Sequence, residues 1–303
     1  MTVRDTHLKR SGKAVLRGSL AAVWVWLAAF APVAAWAAGP DVCPRIVSQA
    51  PYITETLAWL GKADCVVGVS SFDARKDLPQ TGGLLDPDYA AIAALHPDVV
   101  LLAEHVMPAD APPLPAVWRD REFEHVRVVR VFGFQSVDQI VSNVYEIASA
   151  VGMADAVARR DEIRRRFDEK FAALSEKKRV SGNVAVLTNC TNSPAIIGRD
   201  SFINDALNRS GFAVTPVAKT IVESGDETFR QLRRYWDDNH IAAVILLSDR
   251  LRPNCVRSVQ ARPIPLYPVG TDTLYSPSPR LLSDLDIVMR VIDREAEIEA
   301  QSK

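Results

Sequence analysis

Short runs rich in Val and Ile alternate with longer helical stretches over residues 45–131. Short β-branched runs are typical of buried strands, whereas apolar positions three or four residues apart are typical of helices. The predicted strands of this half are 45–48, 66–69, 99–102 and 126–131, and the predicted helices are 53–60 and 89–95. Because strands that alternate with helices pair in parallel through right-handed crossovers, the pattern predicts an α/β lobe.

The same alternation returns after residue 180. The predicted strands here are 184–187, 212–214 and 244–247, and the predicted helices are 202–208 and 228–237. The two halves also contain the same residues at the same spacing, because Ile53, Leu57 and Gly61 correspond to Ile203, Leu207 and Gly211. We therefore expect a second α/β lobe that is similar to the first.

A segment without Pro or Gly, 154–177, separates the two halves. Its apolar positions form one stripe, and ten of the twelve residues from 159 to 170 are charged. We therefore expect an amphipathic helix whose charged faces are exposed to solvent. The stripe consists of Ile163, Phe167, Phe171 and Leu174. A helix of this length measures roughly 35 Å, which is enough to run along two lobes. The alternative is an ordinary surface helix of one large domain.

Composition and charge exclude several classes of protein. The 303 residues are 48% hydrophobic and carry a formal charge of -1, with 36 Lys and Arg against 37 Asp and Glu. Such a chain is neither disordered nor collagenous, and its length leaves room for two cores. A near-neutral balance also argues against a dedicated nucleic-acid binder.

The N-terminal segment has the features of a secretory signal. Residues 1–37 contain five basic residues and one acidic residue, and an uncharged run at 20–38 includes Ala35-Trp36-Ala37. Small residues at these positions are typical of a cleavage site, so we expect cleavage after Ala37 and a soluble mature chain in the periplasm. The alternative is a retained membrane anchor, since 19 apolar residues can just span a bilayer.

The expected domain organisation follows from these observations. It consists of a signal peptide at 1–37, an N-terminal α/β lobe at 38–152, an interlobe helix at 153–178, a C-terminal α/β lobe at 179–293 and a tail at 294–303.

All four cysteines lie in the mature chain and would meet an oxidising compartment. Cys43 and Cys65 each stand directly before a predicted strand, so neighbouring parallel strands would bring them to the same end of one sheet. We predict a Cys43–Cys65 disulfide and, on weaker grounds, a Cys190–Cys255 disulfide. No CxxC motif is present, which disfavours a zinc knuckle or a thioredoxin-like site.

Catalytic signatures are absent from the sequence. It contains no dinucleotide-binding or Walker glycine motif, no GxSxG and no HExxH. The pair Glu104-His105 follows a predicted strand, where open α/β sheets place ligands, and it could serve as acid and base in a secreted hydrolase. A metal site would need further ligands that no spacing supplies, so we expect no metal.

The loops that follow the predicted strands contain Gly, small polar residues and single aromatic residues. Such loops suit a cleft that grips a flat or bulky ligand, although each loop alone also fits an ordinary turn between strand and helix. The candidate ligand-binding residues are Gln49, Pro51, Tyr52, Phe72, Asp73, Gly83, Glu104, His105, Asn189, Asn192, Asp249, Arg250, Asp272 and Tyr275.

Several motifs of the first half resemble one protein family. The stretch PRIVSQAPYITE at 44–55, the run VVGV at 66–69, LPQTGG at 78–83 and IAALHPDVVLL at 92–102 closely resemble the periplasmic cobalamin and iron-siderophore binding family. Its members are solute-binding subunits of ABC importers. The resemblance covers nearly all of residues 44–290 and is strongest before residue 105.

This resemblance implies the helical-backbone periplasmic binding protein fold, with two Rossmann-like α/β lobes joined by a long rigid α-helix and a ligand cleft between them. It also implies a binding protein that has no resident cofactor and is not an enzyme. The implied ligand is a small molecule, either a cobalamin-like corrinoid, haem or a ferric siderophore. The expected partner is the permease dimer of an ABC importer. The binding protein is expected to be a monomer that docks on this dimer through acidic residues, one on each lobe. Glu227 matches the docking position of the second lobe, and Asp110 or Glu104 is the first-lobe candidate. A signalling receptor on an uncleaved anchor is a further alternative.

Overall fold

The computed structural model describes residues 43–104, 116, 123–177, 179–188, 195–215, 226–247, 264–270 and 273–301. The predicted signal peptide and the predicted Cys190–Cys255 disulfide lie outside these residues. No helix among the described residues is both long and apolar enough to cross a membrane.

The first lobe contains a parallel sheet of four strands. The strands are β1 (Ile46–Ser48), β2 (Val66–Val69), β3 (Val99–Glu104) and β4 (Arg127–Phe132), in the order β2-β1-β3-β4. Ile46 pairs with Val66 on one side and with Val99 on the other. The predicted parallel pairing of this half is confirmed, and the carboxyl ends of all four strands point to one edge of the sheet.

Three helices accompany this sheet, namely α1 (Pro51–Trp59), α2 (Tyr89–Ala94) and α3 (Val137–Ala150). Helix α1 begins at a proline, whose missing N–H costs nothing in the first turn. Helices α2 and α3 are capped by Asp88 and Ser136, whose side chains accept hydrogen bonds from backbone N–H groups of the first turn. Helix α3 is not among the elements predicted from the sequence.

The second lobe contains a mixed sheet. Its strands are β5 (Asn183–Thr188), β6 (Ala195–Ile196), β7 (Ala213–Val214), β8 (Ile241–Leu247) and β9 (Leu266–Val269), and its helices are α5 (Phe202–Arg209), α6 (Asp226–Asp238) and α7 (Leu281–Gln301). Strands β7, β8 and β9 extend the parallel arrangement around β5, as predicted. The short strand β6 runs antiparallel to β5, which departs from the expected all-parallel pairing. Helix α7 continues to Gln301, so most of the segment assigned to a tail is helical.

Helix α4 (Ala156–Ser175) follows α3 and leads into the second sheet. Its predicted stripe is buried, and the rings of Phe167 and Phe171 stack with centroids 5.9 Å apart. One apolar cluster contains this stripe together with core residues of both sheets, such as Ile46 and Val184. The lobes therefore share this cluster, and each lobe also has a smaller apolar cluster of its own.

Polar contacts also join the lobes beside α4. The Phe202 N–H donates to the Phe134 carbonyl over 2.9 Å, and the Val137 N–H donates to Asp205 Oδ2 over 2.8 Å. Arg209 Nη2 lies 2.7 Å from Asp138 Oδ2, and this hydrogen bond lowers the pKa of Asp138. The start of α3 in the first lobe is therefore tied directly to α5 in the second.

The predicted Cys43–Cys65 disulfide is present, with its Cα atoms 5.3 Å apart. It closes a loop that spans 22 residues. In the chain-entropy account, a cross-link over such a loop stabilises the folded state by about 3 kcal/mol. We expect a Cys43→Ala/Cys65→Ala variant to lose about this much free energy of unfolding in a denaturant titration. A loss below about 0.5 kcal/mol, the size of an ordinary surface substitution, would contradict a stabilising role.

Candidate functional site

A pocket of about 380 Å³ lies at the junction of the two lobes. Its first-lobe wall comes from the loops after β1, β2 and β4, and its second-lobe wall comes from the segment that precedes α7. The volume lies within the usual range for small-molecule sites, about 300–1,000 Å³. The lining residues are Ala50, Pro51, Tyr52, Glu55, Phe72, Ala74, Leu84, Phe134, Tyr275, Ser276, Pro277 and Arg280.

Four aromatic side chains line this pocket in two different ways. Tyr52 and Phe134 are set edge to face at the base, with ring centroids 5.5 Å apart and planes at 77°. Phe72 and Tyr275 are at the mouth, where Phe72 is 67% exposed and Tyr275 is 43% exposed. The pocket thus has a fixed aromatic base and two exposed rings that are available for contact with a ligand.

Tyr52 at the base is held by its hydroxyl group. The hydroxyl donates to the Val131 carbonyl over 2.6 Å, which satisfies the polar end of an otherwise buried ring. Burial raises the pKa of this hydroxyl, so Tyr52 stays neutral at physiological pH. Tyr52 therefore contributes an apolar ring edge and no charge to the pocket.

Gly133 lets the two lobes approach closely behind the pocket. A Cβ atom on Gly133 would lie 3.0 Å from Pro277 Cγ and 3.3 Å from Tyr52 Cε2. Both distances are shorter than ordinary van der Waals contact, so a side chain here would require Pro277 or Tyr52 to shift by a few tenths of an ångström. The absence of a side chain at Gly133 therefore permits the close approach of Pro277 and Tyr52.

The two charged residues of the lining, Glu55 and Arg280, come from different lobes and pair with each other. Arg280 Nη1 lies 3.1 Å from Glu55 Oε1, and Ser278 Oγ donates to Glu55 Oε2 over 2.6 Å. Ser276 Oγ also donates to Glu55 Oε2, and Arg280 Nε lies 3.3 Å from Asp284 Oδ1. The charges of the described lining therefore compensate each other within the protein.

Most of the residues predicted from the sequence fall into three groups. Those that line the pocket are Pro51, Tyr52, Phe72 and Tyr275. A second group lies behind the pocket wall and shapes its loops: the Gln49 side-chain amide donates to the Thr81 and Gly83 carbonyls over 2.8 and 3.0 Å, while Asp73 Oδ1 accepts from the Arg75 N–H over 2.9 Å. The third group lies outside the described residues and comprises His105, Asp110, Asn189, Asn192, Asp249, Arg250 and Asp272.

Glu104 ends β3 and faces a counter-charge. Its Oε2 atom lies 3.6 Å from Arg130 Nη1 on the neighbouring strand β4. In the part of the chain that the structure describes, no group of three or more His, Cys, Asp or Glu side chains is arranged to hold a metal ion. The ion pair with Arg130 accounts for a carboxylate at the end of β3 without a catalytic role.

Several lining residues were not predicted from the sequence, namely Ala50, Glu55, Ala74, Leu84, Phe134, Ser276, Pro277 and Arg280. Glu55 lies within the stretch that resembles the binding-protein family, and Ser276 and Pro277 directly follow the predicted Tyr275. Phe134 follows β4 by two residues, so the rule that ligands lie beyond strand ends would have found it. No local sequence pattern distinguishes Arg280 from the many other arginines of this chain, most of which would be expected on the surface.

Comparison with known proteins returns structural neighbours only. No protein-family model matches the chain, and no curated protein is significantly similar to it in sequence. Among solved structures, a periplasmic heme-binding protein from Pseudomonas aeruginosa is 19% identical with a TM-score of 0.61, over 82% of this chain and 93% of that one. The periplasmic vitamin B12 binding protein BtuF of Vibrio cholerae is 15% identical with a TM-score of 0.61, over 84% of this chain and 98% of that one.

A third neighbour is the siderophore periplasmic binding protein from the fuscachelin gene cluster of Thermobifida fusca. It is 14% identical with a TM-score of 0.59, and the match covers 82% of this chain and 97% of that one. All three are named as binding proteins, and each match covers most of both chains. The chain therefore has the two-lobed, helical-backbone fold of periplasmic substrate-binding proteins, as the sequence predicted.

Proposed function

We propose that this protein is the periplasmic solute-binding protein of an ABC importer. In this proposal it captures a cobalamin-like corrinoid, haem or a ferric siderophore between its lobes and delivers it to a permease dimer. The observation that carries the proposal is the interlobe pocket, in which the exposed rings of Phe72 and Tyr275 stand over a fixed base of Tyr52 and Phe134. Three neighbours that share the fold are named for binding heme, vitamin B12 and a siderophore.

The chemistry of the pocket supports binding of a bulky ligand with apolar or aromatic surface. Aromatic rings give large contact area at a low cost in conformational entropy, and the lining residue Phe72 is mostly exposed. Glu55 and Arg280 neutralise each other, so the described lining presents no unpaired charge to the ligand. Recognition would then depend mainly on shape and on contact with the rings.

The enzyme alternative, with Glu104 and His105 as acid and base, has less support. Glu104 pairs with Arg130, and it is not among the residues that line the pocket. A nucleophile or metal centre would also be needed for hydrolysis, and no motif in the sequence supplies one. The three neighbours described above are binding proteins by name. A binding role without catalysis is therefore the proposal.

The contribution of Phe72 gives the first test of this proposal. We expect Phe72→Ala to weaken binding about ten-fold, or about 1.4 kcal/mol, because truncation removes a ring that faces the ligand. The dissociation constants for cyanocobalamin, haemin and a ferric catecholate would be measured by absorbance titration. Phe72 is better suited than Tyr52, since Tyr52 is buried and its loss would also disturb the first-lobe core.

Leu85 provides the matched control for Phe72. It is an exposed apolar residue, at 79%, and it lies next to the pocket residue Leu84 without lining the pocket itself. We expect Leu85→Ala to bind as the wild type does. Equal dissociation constants for the wild type, Phe72→Ala and Leu85→Ala would contradict binding of the ligand at Phe72 in this pocket.

A further inference from the structure

One segment of the second lobe, Leu274 to Arg280, supplies much of the pocket and is named the strap here. Its pocket residues are Tyr275, Ser276, Pro277 and Arg280. The strap begins at Leu274, which is fully buried and has a φ of 62°, in the left-handed region that residues other than Gly rarely adopt. Such a backbone conformation persists only where the surrounding structure holds it in place.

The second lobe holds the start of the strap through Asp284 in the first turn of α7. Asp284 Oδ2 accepts a hydrogen bond from the Leu274 N–H over 3.1 Å, and Asp284 Oδ1 lies 3.3 Å from Arg280 Nε. The Asp284 side chain is only 1% exposed, and burial raises its pKa against the opposing effects of the Leu274 N–H and Arg280. One buried carboxyl group therefore connects both ends of the strap.

The first lobe holds the strap through Glu55 of α1. The Glu55 carboxylate accepts from the hydroxyl groups of Ser276 and Ser278 and pairs with Arg280. These three strap residues lie 221 to 225 positions away from Glu55 in the sequence. Hydrogen bonds that involve a charged group are about twice as strong as neutral ones, so three of them on one carboxylate make a strong connection.

The connection and the ligand pocket use the same residues. Glu55, Ser276 and Arg280 line the pocket. Pro277, which also lines it, lies close to the backbone of Gly133 in the first lobe. Movement of the strap away from Glu55 would withdraw Tyr275 and Pro277 from the pocket.

We propose that Glu55 is a positioning residue that holds the strap in its pocket-forming conformation across the lobe boundary. The pocket is then complete only while α1 of the first lobe engages the strap of the second lobe. This inference rests on contacts within the protein and does not require the proposed function. Its test uses no ligand, so that its failure and a failure of ligand binding are separate results.

The test is amide hydrogen exchange of the full mature chain, followed by mass spectrometry. In Glu55→Ala we expect the amides of Ser278 and Arg280, which donate hydrogen bonds within the strap, to exchange about ten-fold faster, because the strap opens locally at a lower cost in free energy. Amides in β5 and β8 should keep their wild-type rates. A milder variant, Ser276→Ala, removes one hydroxyl donor to Glu55 and should raise the same rates in the same direction.

Glu169→Ala is the matched control, because it makes the same substitution at another glutamate. Glu169 pairs with Arg165 over 2.8 Å on the exposed surface of α4, so its loss removes a carboxylate of similar type far from the strap. We expect wild-type exchange of the strap in this variant. Unchanged strap exchange in both Glu55→Ala and Ser276→Ala would overturn the proposal, and so would a uniform increase over the whole chain. If Glu55→Ala does not fold, Ser276→Ala alone decides by the same criteria.

Discussion

The Phe167→Ala substitution is expected to lower the free energy of unfolding by about 3–5 kcal/mol. Phe167 is 1% exposed and stacks on Phe171 within the apolar cluster that contains residues of both sheets. Removing its ring would leave a cavity at the junction of α4 with the lobes, in addition to the lost burial of apolar surface. Denaturant unfolding followed by circular dichroism measures the change.

The same experiment tests whether the lobes unfold together. Because Phe167 packs in a core that both lobes share, we expect one cooperative transition that moves to lower denaturant as a whole. Phe72→Ala is the matched control, since the same side chain is truncated at a site that is 67% exposed, and its stability should change by less than about 0.5 kcal/mol. A biphasic transition in Phe167→Ala, with one lobe unaffected, would show that α4 belongs to a single lobe.

The second large effect concerns the proposed permease partner. Glu227 is the second residue of α6, at a helix start where a carboxylate is favoured by the helix dipole. If Glu227 docks on a basic residue of the permease, Glu227→Lys places like charges together, which can cost several kcal/mol. We expect uptake by the reconstituted importer to fall to background while the variant still binds its ligand as the wild type does.

A purely local role of Glu227 leads to a different result. At a helix start alone, charge reversal costs about 1 kcal/mol of stability and leaves transport intact. Glu169→Lys supplies the comparison, because it reverses an exposed charge on α4 and should leave uptake at the wild-type level. Wild-type uptake with Glu227→Lys would mean that Glu227 serves only its own helix.

Much of the fold could be predicted from the sequence because its elements carry local signals. Strand β2 coincides with the predicted run at 66–69, and the apolar stripe of α4 is buried as predicted. Helix α3 had the same kind of signal, since Ile140, Val144 and Ile147 have helical spacing, and it could have been predicted. Strand β6 could not, because two residues carry no periodicity and its antiparallel pairing depends on contact with β5.

The pocket was only partly predictable, for a physical reason. Phe72 and Tyr275 were found because aromatic residues in strand-end loops are natural ligand contacts. Glu55 and Arg280 were missed because each is polar in a helical or turn context, and their meeting depends on chain segments 225 residues apart. Gln49 and Asp73 also follow strand ends, but their side chains bond to backbone groups of nearby loops.

The most direct test of the proposed function is an absorbance titration of the purified mature protein with cyanocobalamin, haemin and a ferric catecholate. The interlobe pocket predicts a saturable spectral change at one equivalent for at least one of the three, because each is a bulky ligand that absorbs visible light. Saturation of none of them would contradict the proposal that the pocket binds this class of ligand.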